Sequence, residues 1–209
     1  YGTERLWRST NGGNSWSSVG PDVTGGGNAA ISGLQFAPSD TQVIYALTND
    51  GRVQVTQNQG TSWNLSLTGI TTWPRTRRPF AIHPTDSRRA FMAVSSFGGA
   101  KVLATENTGG TWQDVTGNLP DVPANAIAMH IPPTGVPILY LGTDQGVWRS
   151  EDSGQSWARY GAGISNAPVI DIRVDEANDR VVASTQGRGL WSAPLTLRAP
   201  KPVVHPTTK

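Results

Sequence analysis

The residues best suited to bind a ligand lie close together between positions 73 and 78. Trp73 is followed by Arg75, Arg77 and Arg78. An indole ring can stack on a sugar ring, and guanidinium groups can hold a carboxylate by paired hydrogen bonds. We therefore predict a candidate site for a glycan or an acidic protein surface. The alternative interpretation is a loop that packs Trp73 on its own unit and leaves the arginines in solvent.

Asp171 is the weak candidate for a catalytic carboxylate. It lies two positions before Arg173 in an apolar stretch, so in a strand both side chains project from one face. A carboxylate there can act as a general acid or base. The sequence favours the alternative, a structural ion pair between Asp171 and Arg173.

Other catalytic signatures are missing from the sequence. Glycoside hydrolysis normally needs two carboxylates that flank the scissile bond. No second one stands out, and the sequence has no nucleophile elbow, phosphate loop or zinc motif. Whether the chain is an enzyme is therefore uncertain. If it is one, we expect a glycosidase whose catalytic groups lie partly outside this chain.

Composition excludes several further classes of protein. The chain has no Cys, which excludes thiol catalysis, Cys-ligated metals and disulfides. His83, His130 and His205 lack the spacing of metal ligands, so we expect no metal and no cofactor. The net charge of +2 argues against a nucleic-acid partner. No apolar run reaches about 18 residues, so we expect no membrane span.

One octapeptide pattern recurs four times and must dominate the architecture. Its form is Ser/Thr, any residue, Asn/Asp, any residue, Gly, any residue, Ser/Thr, Trp, and its tryptophans are spaced by 45 to 49 positions. Asn or Asp closes a turn by accepting backbone N–H bonds, Gly supplies a positive φ, and Trp is expected to begin the next strand. The defining positions are Ser9, Asn11, Gly13 and Trp16; Thr56, Asn58, Gly60 and Trp63; Thr105, Asn107, Gly109 and Trp112; and Ser150, Asp152, Gly154 and Trp157.

Each full unit is predicted to have four short strands, three before the octapeptide and a fourth that begins at its Trp. In the order of the unit, the predicted first strands are 31–36, 80–83, 126–131 and 169–174; the second strands are 43–47, 90–94 and 138–141; and the third strands are 6–8, 53–55, 102–104 and 147–149. In this alignment, Ala128 and His130 occupy the positions of Asp171 and Arg173. Units of 40 to 50 residues with four strands indicate an all-β fold, a β-propeller of four-stranded antiparallel blades.

The octapeptide resembles the Asp-box, or bacterial neuraminidase repeat. Residues 140–144, 146–150 and 185–191 are similar to secreted sialidase-like, photosystem-assembly-factor-like and xyloglucanase-like propellers, and the resemblance extends over residues 1–197. It implies that the four boxes are structural and lie on the outer edge. It also implies that the loop with Trp73 faces the mouth of the axial channel. Asn replaces the acidic residue in three boxes, which keeps the turn chemistry.

The repeats divide the chain into about four and a half blades. We predict a partial blade at 1–19, full blades at 20–66, 67–115 and 116–160, a closing blade at 161–197, and a Pro- and Thr-rich linker or tail at 198–209. The chain then represents the C-terminal part of a larger propeller, or else a closed ring of five blades. In the first case, another segment of the same propeller or a neighbouring subunit is expected to pair with an edge strand.

Function is much less determined than fold, because this type of propeller supports unrelated activities. We expect an extracellular protein whose signal peptide is not present in this chain. The favoured function is a non-catalytic binding or assembly scaffold for a protein or glycan. The first alternative is a sialidase- or xyloglucanase-like glycoside hydrolase, and the second is a structural subunit of a surface assembly or filament.

Overall fold

The computed structural model describes residues 3–70, 78–161, 163–164 and 167–195. These residues form seventeen β-strands and one short 3-10 helix, Glu176–Asn178. The strands are β1 (Leu6–Arg8), β2 (Ser17–Val19), β3 (Ile31–Ala37), β4 (Asp40–Thr48), β5 (Val53–Thr56), β6 (Asn64–Leu67), β7 (Phe80–Ile82), β8 (Ala90–Ala93), β9 (Val102–Thr105), β10 (Gln113–Asp114), β11 (Ala124–His130), β12 (Ile138–Thr143), β13 (Gly146–Ser150), β14 (Ala158–Tyr160), β15 (Val169–Asp175), β16 (Arg180–Thr185) and β17 (Leu190–Pro194).

The strands form five antiparallel sheets in which chain neighbours are also sheet neighbours. We number these sheets as blades: blade 1 is β1–β2, blade 2 is β3–β6, blade 3 is β7–β10, blade 4 is β11–β14 and blade 5 is β15–β17. Blades 2, 3 and 4 have four strands, blade 1 has two and blade 5 has three. The prediction of a propeller with about four and a half four-stranded blades is confirmed.

The hydrophobic core is divided among the seams between successive blades. Tyr45 and Phe80 belong to the cluster between blades 2 and 3. Phe91 and Leu139 belong to the cluster between blades 3 and 4, and a third cluster joins blades 4 and 5. Because a middle strand is covered on both faces, β4 and β12 carry continuous apolar runs rather than alternating ones.

The first strand of each of blades 2 to 5 lies on the inner side of the arc. There β3 contacts β7, β7 contacts β11, and β11 contacts β15. Arg78 forms a parallel bridge with Ala126, which shows that these inner strands run in the same direction. The starts of the inner strands and the β8–β9 loop lie at the same end, because the Ala124 N–H donates to the Val94 carbonyl (3.3 Å).

All four octapeptides form one type of turn. In blade 3, Asn107 Oδ1 accepts the Thr111 N–H (2.9 Å), and the Gly109 N–H donates to Thr105 Oγ1 (3.0 Å). Gly154 of blade 4 has φ 94° and also lies where a Cβ would come within 3.0 Å of Val115 in blade 3. Glycine is therefore required both for the turn and for contact with the preceding blade.

Three details of the predicted strands were wrong. Each octapeptide Trp precedes its strand by one residue, and His83, Val94 and Ile131 lie just outside β7, β8 and β11. The third difference concerns register. In both β11 and β15, the pairing register with the next strand shifts near the start. Ala126 then pairs with Gly142, and Asp171 pairs with Ser184. Both partners directly precede a threonine, Thr143 and Thr185. Ala126 and Ala128, not Ala128 and His130, therefore correspond to Asp171 and Arg173.

Whether the blades close into a ring or pair with a strand outside the chain stays a prediction. Within the described residues, β1 pairs with β2 and β17 pairs with β16. Leu190 on β17 is strongly exposed. Pairing with a strand outside the chain remains what we expect. None of the described helical residues forms a segment long and apolar enough to cross a membrane.

Candidate functional site

The site predicted around Trp73 falls largely on residues that the structure does not describe. Trp73, Arg75 and Arg77 lie outside the described residues. Arg78 is described, and its carbonyl accepts a hydrogen bond from the Ile127 N–H (3.3 Å). This bond fixes the Arg78 backbone along the start of β11.

Arg78 and Asp171, predicted separately, lie beside one another. Arg78 Nε is 3.6 Å from Asp171 Oδ1, and Arg173 Nε donates to Asp171 Oδ2 at 3.0 Å. Asp171 Oδ1 is buried and accepts no hydrogen bond from any described residue. One carboxylate oxygen is therefore held by Arg173, while the other lies near Arg78 with its hydrogen-bonding capacity unused.

Local structure explains how the two groups meet across an intervening strand. Asp171 follows the register shift at the start of β15, and Arg78 precedes β7, with β11 between them. Ala126 and Ala128 give β11 short side chains at the corresponding positions. The Arg78 side chain can therefore span β11 and reach the carboxylate of blade 5. We call Arg78, Asp171 and Arg173 the axial cluster.

Asn125 ties the start of β15 to blades 3 and 4 near the axial cluster, and sequence analysis missed it. Its side chain is fully buried and joins three blades: Ser95 Oγ donates to its Oδ1 (2.7 Å), and its Nδ2 donates to Asp144 Oδ1 (2.9 Å) and the Val169 carbonyl (3.1 Å). Val169 lies two residues before Asp171. A polar amide at the start of an otherwise apolar strand was the available signal, because such a group must find partners when it is buried.

Phe97 is a second residue that the sequence did not indicate. It lies in the β8–β9 loop, at the same end of the blades as the axial cluster, and is 61% exposed. The loop is well tied: the Gly98 N–H donates to Asp121 Oδ1 (2.7 Å), and the buried Lys101 Nζ donates to the Gly98 and Gly99 carbonyls. A large exposed aromatic ring on an anchored loop offers a flat apolar surface, of the kind on which a sugar ring stacks.

Electrostatic interactions further fix that loop. Lys101 Nζ lies 2.6 Å from Asp121, and its hydrogen bond lowers the pKa of the Asp121 carboxyl, as does the bond from the Gly98 N–H. In the described parts of the chain, no three His, Cys, Asp or Glu side chains group as metal ligands do. The functional groups that the described residues bring to this end of the blades are the Asp171 carboxylate, the two guanidinium groups of the axial cluster and the exposed Phe97 ring.

The fold and this arrangement define a β-propeller protein with a polar cluster at the mouth of its inner strands. Residues 4–122, more than half of the chain, match the Sortilin-Vps10 family, described as sortilin, neurotensin receptor 3. The chain belongs to this family.

Similarity to xyloglucanases is found at the level of both sequence and fold. A xyloglucanase from Paenibacillus sp. is 28% identical over 162 residues, which cover 69% of this chain and 15% of that enzyme. The structure of the GH74 xyloglucanase from Xanthomonas campestris superposes with a TM-score of 0.69 at 22% identity, over 89% of this chain and 26% of the other. An ancestral GH74 enzyme gives 0.66 at 20% identity, over 88% and 25%. The predicted relation to xyloglucanase-like propellers is confirmed, and this chain spans about a quarter or less of each relative.

Proposed function

We propose that this chain is part of an extracellular glycoside hydrolase propeller that acts on a xyloglucan-type polysaccharide. The observation that carries the proposal is Asp171, whose side chain is partly exposed at this end of the inner strands and whose Oδ1 accepts no hydrogen bond from any described residue. The sequence relation to the Paenibacillus xyloglucanase supports it. This relation favours the hydrolase over the non-catalytic scaffold that sequence analysis preferred.

In this proposal, Asp171 acts on the glycan as a general acid or base. Arg173 holds Oδ2 and Arg78 lies beside Oδ1, so the orientation of the carboxylate is fixed. Phe97 stacks on a sugar ring and holds the chain at the same end of the blades. Such positioning contributes to catalysis because the reacting groups are aligned before the reaction begins.

Glycoside hydrolysis by this route needs a second carboxylate. The inner strands β3, β7 and β11 contain no Asp or Glu, and the only other carboxylate of β15 is Asp175 at its far end. We therefore place the partner carboxylate in another part of the protein. Its distance from Asp171 would decide the stereochemistry: about 5 Å for a retaining and 6.5–9.5 Å for an inverting mechanism.

A polysaccharide screen tests the proposal. The native protein is incubated with xyloglucan, unsubstituted cellulose and a sialylated glycan, and new reducing ends and released sialic acid are measured. We expect cleavage of xyloglucan in preference to the other two. Tight binding of xyloglucan without any cleavage would contradict the hydrolase.

The non-catalytic scaffold remains the second candidate, and two observations favour it. Both arginines of the axial cluster already engage Asp171, as in a structural ion pair. The description of the matched family also names a receptor. In this candidate, the Asp-box-like octapeptides are purely structural, and the mouth binds a glycan or an acidic protein without changing it.

A further inference from the structure

The three complete blades differ at one position that governs how each meets the next blade. Tyr45 of blade 2, Phe91 of blade 3 and Tyr140 of blade 4 are equivalent. Each pairs with the residue immediately before the octapeptide turn, namely Val55, Ala104 and Arg149. Blade 3 therefore differs from the other two in both residues of this pair. Phe91 has no hydroxyl, and Ala104 is the smallest of the three partner residues.

In blades 2 and 4, the tyrosine fastens the seam to the following blade. Tyr45 donates to the Ser87 carbonyl of blade 3 (2.9 Å), and Tyr140 donates to the Leu195 carbonyl after β17. Burial raises the pKa of Tyr140 to about 12, so the hydroxyl keeps its proton at neutral pH. Phe91 has no group that could make this bond to blade 4.

The partner residue fills the seam in the other blades but not in blade 3. The Arg149 guanidinium lies over the rings of Tyr140 and Tyr160, at 5.9 and 5.3 Å from their centroids. Val55 packs in the cluster between blades 2 and 3, where Gly109 approaches it. Ala104 has only a methyl group at this position. A groove of about 560 Å³ opens here between blades 3 and 4.

The groove has an apolar floor and a polar rim. Phe91, Ala104 and Val115 contribute to the floor. Trp112 also borders the groove, although its ring packs near Tyr45 in the seam between blades 2 and 3, where its indole N–H donates to Ser66 Oγ (2.8 Å). The volume lies within the range of about 300–1,000 Å³ that is usual for small-molecule sites.

The rim indicates the chemistry of the ligand. Arg89 Nε lies 3.9 Å from Glu106 Oε1, so the positive and the negative charge of these two rim residues cancel. Gln113 and Gln155 are exposed amides that can donate and accept hydrogen bonds. An aromatic and aliphatic floor beneath neutral polar groups suits a ligand with an apolar ring face and many hydroxyls. A phosphate or a carboxylate would meet Glu106 as well as Arg89.

We infer that the groove between blades 3 and 4 is a second glycan site, which binds a neutral glucan segment away from the axial cluster. The inference rests on the proposed function for its choice of polysaccharide. The groove lies beside the octapeptide turns of blades 3 and 4, on the outer part of the seam. Binding there would hold a long polymer while another part of it occupies the axial cluster.

The test is a titration of the native protein with a xyloglucan oligosaccharide, followed by calorimetry and by chemical-shift perturbation. Ala104→Val copies the residue of blade 2 and narrows the groove by two methyl groups, and Gln155→Ala removes a rim amide without altering the core. We expect at least a tenfold loss of affinity at the groove for each. Thr61→Ala changes the position of the blade 2 turn that corresponds to Gln155 and serves as the control, with unchanged binding. Melting temperatures establish that each variant is folded.

Two outcomes separate this inference from the proposed function. If the groove variants bind like the wild type, or if no oligosaccharide shifts the signals of Ala104 and Gln155 in the wild type, the second site does not exist, whatever the hydrolysis assay gives. If the groove variants lose binding while the wild type cleaves no polysaccharide, the second site stands and the hydrolase is wrong. Unchanged hydrolysis of short oligosaccharides by Gln155→Ala, with slower hydrolysis of polymer, would agree with both.

Discussion

The amide or carboxylate at the third position of the octapeptide organises its turn. Asn107 Oδ1 accepts from the Thr111 N–H and Thr105 Oγ1, and its Nδ2 donates to Thr111 Oγ1. We expect Asn107→Ala to lower the free energy of unfolding by about 1–2 kcal/mol, because those groups lose their partner. Asn107→Asp should cost less, since in blade 4 Asp152 Oδ1 accepts the matching two bonds and its Oδ2 accepts from the Ser156 hydroxyl. Urea denaturation measures both, and equal costs for Ala and Asp would contradict this account.

Asp152 gives blade 4 a dependence on pH that the Asn turns lack. Burial raises the pKa of Asp152, but hydrogen bonds from Ser156 and Ser150 outweigh it and keep the pKa below its ordinary value of 3.8. A lowered pKa in the folded state stabilises the protein above the unfolded pKa, and this stabilisation is lost as pH falls through the folded pKa. We therefore expect the wild type to lose stability relative to Asp152→Asn below about pH 4. If the free energies of unfolding of the wild type and of Asp152→Asn change in parallel from pH 3 to 7, Asp152 contributes no such stabilisation.

At the scale of the strand, Trp157 connects β14 to the preceding blade. It is 3% exposed, and its indole N–H donates to the Gly154 carbonyl (3.1 Å) and the Val115 carbonyl (3.3 Å). Trp157→Ala should cost about 3–5 kcal/mol, because it opens a cavity in the seam between blades 3 and 4. Trp157→Phe should cost less. Trp112 is only partly buried, so Trp112→Ala should fall below the cost of Trp157→Ala in the same chemical denaturation experiment.

Repetition made the strands predictable, since each was supported by its counterparts in the other units. The alignment of β11 with β15 was not predictable in the same way, because β11 begins at Ala124, two residues before the predicted start, so every matched position moves by two. Asp171 was found by its chemistry, but its approach to Arg78 depends on the way three inner strands pack. Phe97 looks ordinary in sequence, and Asn125 is marked there only as a polar residue in an apolar strand; burial of the amide and anchoring of the loop distinguish them in the structure.

At the scale of the whole molecule, the blades pack in sequence, and the faces at the ends of the arc differ from those inside it. A Cβ on Gly60 or Gly154 would touch the preceding blade, whereas one on Gly13 would touch, among the described residues, only Trp16. Trp16 is 50% exposed, although its counterpart Trp157 is buried. Such a face suits a covering segment of the same propeller or a neighbouring subunit, as the sequence predicts.

The central claim is that the axial cluster performs chemistry rather than holding blades together. The most direct measurement is the rate of xyloglucan cleavage by the native protein and its Asp171→Asn variant, with Asp175→Asn as the control. Asp175 lies on the same strand but at the far end, where it binds Arg180 and Asn178. We predict that Asp171→Asn lowers kcat by about 10²–10⁴ with an unchanged melting temperature, the size expected for loss of a general acid or base. If Asp171→Asn cleaves xyloglucan as fast as Asp175→Asn does, the catalytic role assigned to the axial cluster is wrong.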